Sequence, residues 1–446
     1  MIPFTDSDLA DIGRAAARDA WRGGLVVHKP GGTVVEIPLV AEPEVLSRAT
    51  LASLAAEAGA ILSGAVKLAR ALVQQGDARD REALLGPFEG LEAEAMGRLF
   101  DEAPCPAVVA RVDFLRPGEP GAAPRALELN TTIPAMPGYA DLAAHAWLRA
   151  AARARGLAPR QANDLVAACG SNIENLRRTL VELYRTRGGT RARPSIALVA
   201  RPGDAQLGEL RRMAEHFRQM GHQAGTLTPM ECEPERWDVL YRHVWAHNTP
   251  EDSPFARALR SPARFVLANP VNGMLEAKAL FARLSECGED EALARLAGLG
   301  AAELAAAQRL PYTRRLDAAL APRLLAEREL WVLKRSWDYG GKSVHLGGEL
   351  APDAWARAVE EALADSRGGG FVAQERVFAA RRPATRVTPE GVERADLYRD
   401  VSTYAGLGPN PPNGSVVRAA ASPIVNILGG GGLAPVIPED VLAALA

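Results

Sequence analysis

The chain has 446 residues, enough for two or three domains around a large buried core. Lysine and arginine together number 52, against 54 aspartate and glutamate residues, so no charge excess indicates a nucleic-acid or membrane partner. Aromatic residues make up only 5% of the chain, which also disfavours stacking on single-stranded nucleic acid.

Cysteine spacing and the N-terminal sequence favour a soluble, cytoplasmic protein. Cys105, Cys169, Cys232 and Cys287 are far apart, so we expect reduced thiols rather than a metal site or a disulfide framework. The first 21 residues lack a cationic start followed by an apolar core, as a secretory signal would have. No stretch approaches the uninterrupted apolar length of a membrane span.

Helical patterns alternate with short strands in the first part of the chain. A helix is predicted over 5–22, and the alternation over 25–39 with its KPGG turn predicts a short hairpin. Apolar spacing predicts helices over 44–75, 142–155 and 163–186. Two strands, joined by a turn rich in Pro and Gly, are predicted over 107–114 and 125–130.

A domain boundary is predicted at RGGTRARP, residues 187–194, where Gly, Pro and positive charge interrupt a helix before an apolar strand. Beyond it, one helix and four strands predict a small α/β unit with a parallel sheet; the helix is 207–220 and the strands are 195–200, 223–227, 237–244 and 264–267. We therefore expect three domains, over 1–192, 193–273 and 274–446.

The last of these segments is predicted to alternate between helices and strands again. Helices are expected over 275–284 and 354–364. Strands are expected over 331–334, 343–346, 371–376, 395–404 and 415–420. A further apolar stretch, 424–427, leads into the run Gly429-Gly-Gly-Gly432.

Four polar residues on the two strands before the boundary predict a metal and phosphate site. Alternation places Arg111 and Asp113 on one face of a strand, and Glu128 and Asn130 on one face of the next. Carboxylate and amide oxygens are ligands that Mg²⁺ prefers, and the arginine suits phosphate. The alternative is a solvated hairpin edge, but the strands are otherwise apolar, and unpaired burial of charge is costly.

A second candidate element lies about 200 residues later. An apolar strand containing Lys334 runs into a turn with Gly340, Gly341 and Lys342, which suits a polyphosphate. The turn matches neither the dinucleotide fingerprint nor the P-loop, so an ordinary hairpin is the alternative. Asp338 fits either a metal ligand or a turn-stabilising aspartate.

Other polar residues in apolar surroundings are weaker candidates. Arg418 suits phosphate and Asn426 suits a metal shell or a substrate, although either is equally compatible with a structural role. The backbone of strand 371–377 suits an adenine edge. His243 and His247 have a metal-like spacing without a third ligand, and Arg242 at a strand end suits a substrate. The loop and helix start holding Asp204, Gln206 and Glu209 suit a ligand or a helix cap.

Taken in order, these motifs resemble the circularly permuted branch of the ATP-grasp superfamily, which includes glutathionylspermidine synthases and eukaryotic-type glutathione synthetases. Arg111-Val-Asp113 and Glu128-Leu-Asn130 are similar to its Arg-x-Asp and Glu-x-Asn strands. Lys334 to Gly341 is similar to its Lys-Pro-x-x-Glu-Gly-Gly element, with Arg335 in place of Pro and Asp338 in place of Glu.

Further motifs extend the resemblance to the end of the chain. Asn269-Pro270 with Lys278 resembles a segment whose lysine approaches the nucleotide, and Gln374-Glu375-Arg376-Val377 is similar to the adenine hinge. Arg418 and Asn426-Ile-Leu-Gly-Gly resemble the closing strand pair.

The resemblance implies a mixed α/β (α+β) protein with a permuted ATP-grasp fold and an inserted parallel α/β substrate-side domain at 193–273. It implies a ligase that uses ATP and Mg²⁺ to join a small-molecule or peptide carboxylate to an amine through an acyl phosphate.

The implied metal ligands are Asp113, Glu128, Asn130 and Asp338, and the implied catalytic residues are Arg111 and Arg418. The implied nucleotide-binding residues are Lys278, Lys334, Gly340, Gly341, Lys342, Gln374, Glu375, Val377 and Asn426. A small-molecule kinase and a non-catalytic nucleotide-binding protein are the alternatives.

Overall fold

Helices and short strands alternate throughout the computed structural model, which describes residues 4–29, 31–102, 107–119, 121–338, 340–408, 410–427 and 429–445. Cys105 lies outside the described residues. The α-helices are α1 Asp6–Arg22, α2 Arg48–Gln75, α3 Ala78–Leu85, α4 Gly90–Met96, α5 Leu99–Glu102, α6 Pro137–Ala154, α7 Pro159–Cys169, α8 Asn172–Thr186, α9 Leu207–Gln219, α10 Pro254–Arg260, α11 Lys278–Cys287, α12 Glu291–Ala297, α13 Ala301–Gln308, α14 Ala321–Ala326, α15 Pro352–Ala364 and α16 Glu439–Ala443.

The strands belong to several sheets, which gives a mixed α/β architecture. They are β1 Val26–His28, β2 Val34–Glu36, β3 Leu39–Val40, β4 Glu44–Leu46, β5 Ala110–Leu115, β6 Arg125–Asn130, β7 Ile196–Ala200, β8 Ala224–Leu227, β9 Val239–His243, β10 Leu267–Ala268, β11 Thr313–Arg315, β12 Trp331–Arg335, β13 Val344–Leu346, β14 Phe371–Glu375, β15 Arg382–Thr388, β16 Gly391–Ala405, β17 Ser415–Ala420, β18 Gly432–Ala434 and β19 Val436–Pro438.

A seven-stranded sheet joins the beginning of the chain to its end. Its strand order is β15-β3-β18-β17-β16-β5-β6, and β15 also pairs with the first half of β16, so the pairings close a ring through β3, β18 and β17. Strands β5 and β6 pair antiparallel, with Arg111 opposite Asn130 and Asp113 opposite Glu128. Residues 1–192 and 274–446 therefore contribute strands to one sheet.

The segment after residue 193 forms the parallel sheet that its pattern predicts. Its strand order is β10-β9-β7-β8, and each neighbouring pair is parallel. The fourth strand is only Leu267–Ala268, later than expected. Apolar side chains of β7 and β9 pack against α8 and α9, as Leu198, Leu180 and Phe217 illustrate.

A third sheet, β11-β14-β12-β13, is antiparallel and carries the lysine strand. Trp331 and Leu333 of β12 pack on Trp355 and Val359 of α15, which buries one face of the sheet. Because side chains alternate along a strand, Lys334 points to the other face. The hairpin of β12 and β13 brackets the glycine turn.

Two of the stretches predicted as single helices are divided in the structure. Residues 44–46 form a strand, and α2 begins only at Arg48, because Ser47 caps the helix by accepting a bond from the Thr50 amide. The stretch 163–186 is split between α7 and α8 at Gly170, whose φ of 89° lies in the left-handed region. Ser171 then caps α8.

By length and composition alone, helix α2 is long and apolar enough to cross a membrane. This contradicts the prediction that no stretch approaches the apolar length of a membrane span. Its side chains Leu54, Ile61 and Leu68 lie in the largest core cluster of the protein, and core helices pass the same test. In this structure α2 is a core element that packs against α11, α12 and α13.

Candidate active site

One cleft of about 1310 Å³ lies between the seven-stranded sheet, the lysine-bearing sheet and the loops of the parallel sheet. Its lining includes the fifteen residues to which the sequence or the resemblance assigned metal, nucleotide or catalytic roles: Arg111, Asp113, Glu128, Asn130, Lys278, Lys334, Asp338, Gly340, Gly341, Lys342, Gln374, Glu375, Val377, Arg418 and Asn426. Residues spread over more than 300 positions therefore converge at one place.

The carboxylate of Asp113 accepts hydrogen bonds from two guanidinium groups. Arg111 donates from Nε to one oxygen at 2.7 Å and from Nη2 to the other at 3.0 Å. Arg418 Nη2 donates to the second oxygen at 2.8 Å. Burial raises the pKa of Asp113, but the two arginines outweigh it and hold that pKa well below its usual range. A metal ion at Asp113 would therefore share the carboxylate oxygens with two arginines.

A second carboxylate, which the sequence reasoning missed, completes this arrangement. Asp400 lies directly opposite Arg418 on the neighbouring strand, and its oxygens accept bonds from the Arg418 amide at 3.1 Å and from Nε at 2.9 Å. Burial lowers the pKa of Arg418, but Asp400 and Asp113 more than reverse this and raise it. We call Arg111, Asp113, Arg418 and Asp400 the arginine–aspartate network.

Glu128 and Asn130 are better placed for a metal ion. Glu128 is partly exposed to the cleft, and its closest cation is Lys278 Nζ at 3.9 Å. Among the described residues, the side-chain nitrogen of Asn130 is buried without a hydrogen-bond partner; this donor suits a phosphate oxygen, whereas Mg²⁺ would take the amide oxygen. Among the described residues, no three His, Cys, Asp or Glu side chains form a metal cluster. A Mg²⁺ ion here would need phosphate oxygens as well, which is its usual behaviour in proteins.

Lys334 is almost fully buried at the floor of the cleft. Its Nζ donates to Gln374 Oε1 at 2.7 Å and approaches the Leu127 carbonyl at 3.4 Å. Burial lowers the pKa of Lys334 to about 8, although the Glu128 carboxylate acts in the opposite direction. An anion bound next to Nζ would stabilise the charged form of Lys334, which burial disfavours.

The glycine turn is held over the cleft from two sides. Lys278 Nζ donates to the Asp338 carbonyl at 3.0 Å, and Asn426 Nδ2 donates to the Gly340 carbonyl at 2.7 Å. Gly340 and Gly341 have φ of 74° and 73°, which only glycine adopts readily. The carboxylate of Asp338 accepts a bond from the Ser343 hydroxyl, as a turn-stabilising aspartate would.

The strand end at Gln374 to Val377 borders the same floor. Gln374 accepts from Lys334 and donates to the Leu127 carbonyl and the Thr313 hydroxyl. The Glu375 carboxylate accepts from Arg125 at 3.3 Å. The Val377 amide, just beyond β14, makes no backbone hydrogen bond within the described part of the chain.

Lysine is scarce in this sequence, and its distribution is informative. The chain contains five lysines, at positions 29, 67, 278, 334 and 342, although lysine and arginine together number 52. All except Lys67 line the cleft. An ammonium is a compact point charge that arginine does not reproduce, so the grouping of these lysines distinguishes the cleft from the rest of the chain.

The structure contradicts the substrate-facing role expected for Arg242 and favours the helix-cap alternative for Glu209. Arg242 is not directed at a substrate, because its buried guanidinium donates to the carbonyls of Asn269, Val244 and Pro270. Glu209 caps α6, since its carboxylate accepts from the amides of Met136 and Gly138. Burial raises the pKa of Glu209 to about 7.

The other candidate residues of the parallel-sheet segment are Asp204, Gln206, His243 and His247. Asp204 and Gln206 both line the cleft, and Gln206 Oε1 lies 2.9 Å from Nε2 of His243. His247 pairs instead with Glu92 at 2.6 Å, so the two histidines have separate partners and do not form a metal pair.

Comparison with solved structures identifies the class of fold. The chain is similar to a glutathione synthetase-like effector (GSS30) from Globodera pallida in its apo form, with a TM-score of 0.62 over 98% of both chains and 14% sequence identity. The protein therefore has a glutathione synthetase-like fold. No protein-family model and no curated protein sequence matches the chain.

Proposed function

We propose that the protein is an ATP-dependent ligase that joins a carboxylate to an amine, on a circularly permuted ATP-grasp-type fold. The observation that carries this proposal is the convergence on one cleft of all fifteen residues of the ordered motif set. The glutathione synthetase-like fold supports it independently of those motifs. The volume of about 1310 Å³ exceeds that of an ordinary small-molecule pocket and leaves room for a nucleotide and further reactants.

The nucleotide would lie against the lysine-bearing sheet. The Val377 amide offers a donor to the adenine edge, and Lys334 and Lys278 present positive charge toward the phosphates beneath the glycine turn. Bound Mg²⁺ would offset phosphate charge and polarise the transferring group. Glu128 and Asn130 are the residues that would hold it, with Asp338 as a further ligand if it releases Ser343. Asp113 instead orients Arg111 and Arg418.

The proposed reaction is the one that the family resemblance implies, and the charges in the cleft suit it. A carboxylate attacks the γ-phosphorus of ATP, giving an acyl phosphate and ADP, and an amine then displaces phosphate. Arg418, which reaches the cleft from β17, would offset the charge of the phosphoryl group and the attacking acid. The glycine turn would exclude water from the acyl phosphate. Catalysis would rest on positioning and electrostatics, without an enzyme nucleophile.

The test is turnover with a pool of metabolite acids and amines, Mg²⁺ and ATP, followed by mass spectrometry. A ligase releases ADP and phosphate and forms a product with the mass of acid plus amine minus water. A stable phosphorylated product would indicate a kinase, and binding of ATP without turnover would indicate a non-catalytic protein; either result contradicts the proposal. Glu128→Ala should abolish turnover, and Glu291→Ala, at an exposed position on α12, is the matched control.

A further inference from the structure

Arg418 is held by carboxylates from two different strands of the seven-stranded sheet. Asp400 of β16 is its cross-strand partner, and Asp113 of β5 reaches it across β16. The side chains of all three are largely buried, with 14%, 7% and 4% of their surfaces exposed for Arg418, Asp400 and Asp113. Charged groups buried in this way keep a defined geometry only when their bonds are satisfied.

The arginine–aspartate network is electrically neutral, since two guanidinium groups face two carboxylates. Its contribution to the cleft therefore lies in orientation more than in added positive charge. Nε and Nη2 of Arg418 are occupied by the carboxylates, whereas Nη1 has no acceptor among the described protein atoms. The network thus leaves the two N–H donors of Nη1, on a fixed guanidinium, for an anion in the cleft.

The two carboxylates do not have equal parts in this arrangement. Asp113 also binds Arg111 through both of its oxygens, so it is shared between two arginines. Among the described residues, the Asp400 carboxylate bonds to Arg418 alone, through both oxygens and including the Arg418 backbone amide. Without Asp400, the remaining carboxylate would hold Arg418 through a single nitrogen, and the guanidinium plane would be free to turn.

We infer that Asp400 is a positioning residue for the proposed reaction: it fixes the guanidinium plane of Arg418 so that Nη1 meets the anionic group in the cleft. This inference rests on the proposed function. Asp400 need not touch a reactant for this role, and its effect passes through Arg418 alone. Its loss should therefore matter only when Arg418 is present.

The test is a double-mutant cycle on ATP-dependent turnover. Asp400→Asn should lower kcat/KM about tenfold in the wild-type background and have no further effect in an Arg418→Met background. Asp396→Asn, an exposed position on the same face of β16, is the matched control and should leave turnover unchanged. Equal losses in both backgrounds, or no loss in the wild type, would overturn the inference. Asp400→Glu, which keeps the charge but displaces the guanidinium, repeats the test if the asparagine variant does not fold.

A second readout does not require turnover. Phenylglyoxal modifies arginines according to their accessibility, and peptide mass spectrometry gives the rate at Arg418. We expect faster modification in Asp400→Asn and an unchanged rate in Asp396→Asn; an unchanged rate in both would overturn the inference. A wild-type protein without turnover would refute the proposed function, and the modification rates would still decide the role of Asp400.

Discussion

The lowered pKa of Lys334 makes nucleotide binding dependent on pH in a calculable way. With a pKa of about 8, the ammonium is about nine-tenths charged at pH 7 and about one-tenth charged at pH 9. If only the charged form meets the phosphates, the affinity for a non-hydrolysable ATP analogue should fall about tenfold between these pH values. Isothermal titration calorimetry at pH 7, 8 and 9 measures this directly.

The variants make the same experiment specific. Lys334→Met should bind the analogue weakly and with little pH dependence, because the titrating group is gone. Lys67→Met is the matched control, since Lys67 is the lysine that does not line the cleft, and it should keep the tenfold fall. A flat profile in the wild type, or a tenfold fall that persists in Lys334→Met, would refute the assignment of Lys334 to the phosphates.

The same shift has a consequence for stability, and its sign is definite. The pKa of Lys334 falls from 10.5 in the unfolded chain to about 8 in the folded one, so the unfolded chain binds more protons between these values. The free energy of unfolding contributed by this group therefore rises with pH across that window. Between pH 8 and 10, urea titrations should show a change in the free energy of unfolding that is more positive in the wild type than in Lys334→Met.

Three further outcomes follow from single contacts. Glu128→Ala should remove Mg²⁺-dependent tightening of analogue binding; tightening that survives would exclude Glu128 as a ligand. Asn426→Ala removes the bond to the Gly340 carbonyl, worth about 1 kcal/mol, so limited proteolysis at 338–343 should accelerate about fivefold; an unchanged rate would contradict this. The pKa of Glu209 is raised to about 7, so its stabilisation is complete below about pH 4.5 and is lost as pH rises through 7. Glu209→Gln should flatten the fall in Tm between pH 5 and 8, and an unaltered fall would contradict this.

Local patterns predicted the parts of the site that lie within one strand pair or one turn. The alternation over 107–114 and 125–130 placed Arg111 and Asp113 on one face of the first strand and Glu128 and Asn130 on one face of the next, because side-chain direction in a strand has a period of two. The glycine turn after Lys334 could also be predicted locally, because positive φ depends on glycine at those positions.

Long-range pairing was beyond the reach of such patterns. Strand β3 has two residues and pairs with β15 and β18, more than 300 residues away, so nothing in its local sequence marks it as part of the central sheet. Asp400 is an ordinary polar residue in an alternating strand until β5 and β17 lie on either side of it. For the same reason, the strand pattern could not predict the two arginine partners of Asp113.

Arg242 shows the opposite failure. A charged residue at the end of a parallel strand often faces a ligand, and the sequence favoured that role. The loop at 269–272 instead crosses close to the strand end, and its carbonyls take the guanidinium donors. The path of this loop determines what Arg242 binds, and the sequence pattern of a strand carries no information about that path.

The central claim is that the cleft activates a carboxylate as an acyl phosphate. An acid found by the metabolite screen, labelled with ¹⁸O in its carboxylate, tests it most directly. Attack of that carboxylate on ATP followed by amine displacement transfers one ¹⁸O atom to each phosphate released, which ³¹P NMR resolves as an isotope shift. We predict this transfer in the wild type and its loss in Glu128→Ala. Phosphate free of ¹⁸O, alongside an amide product, would contradict the account.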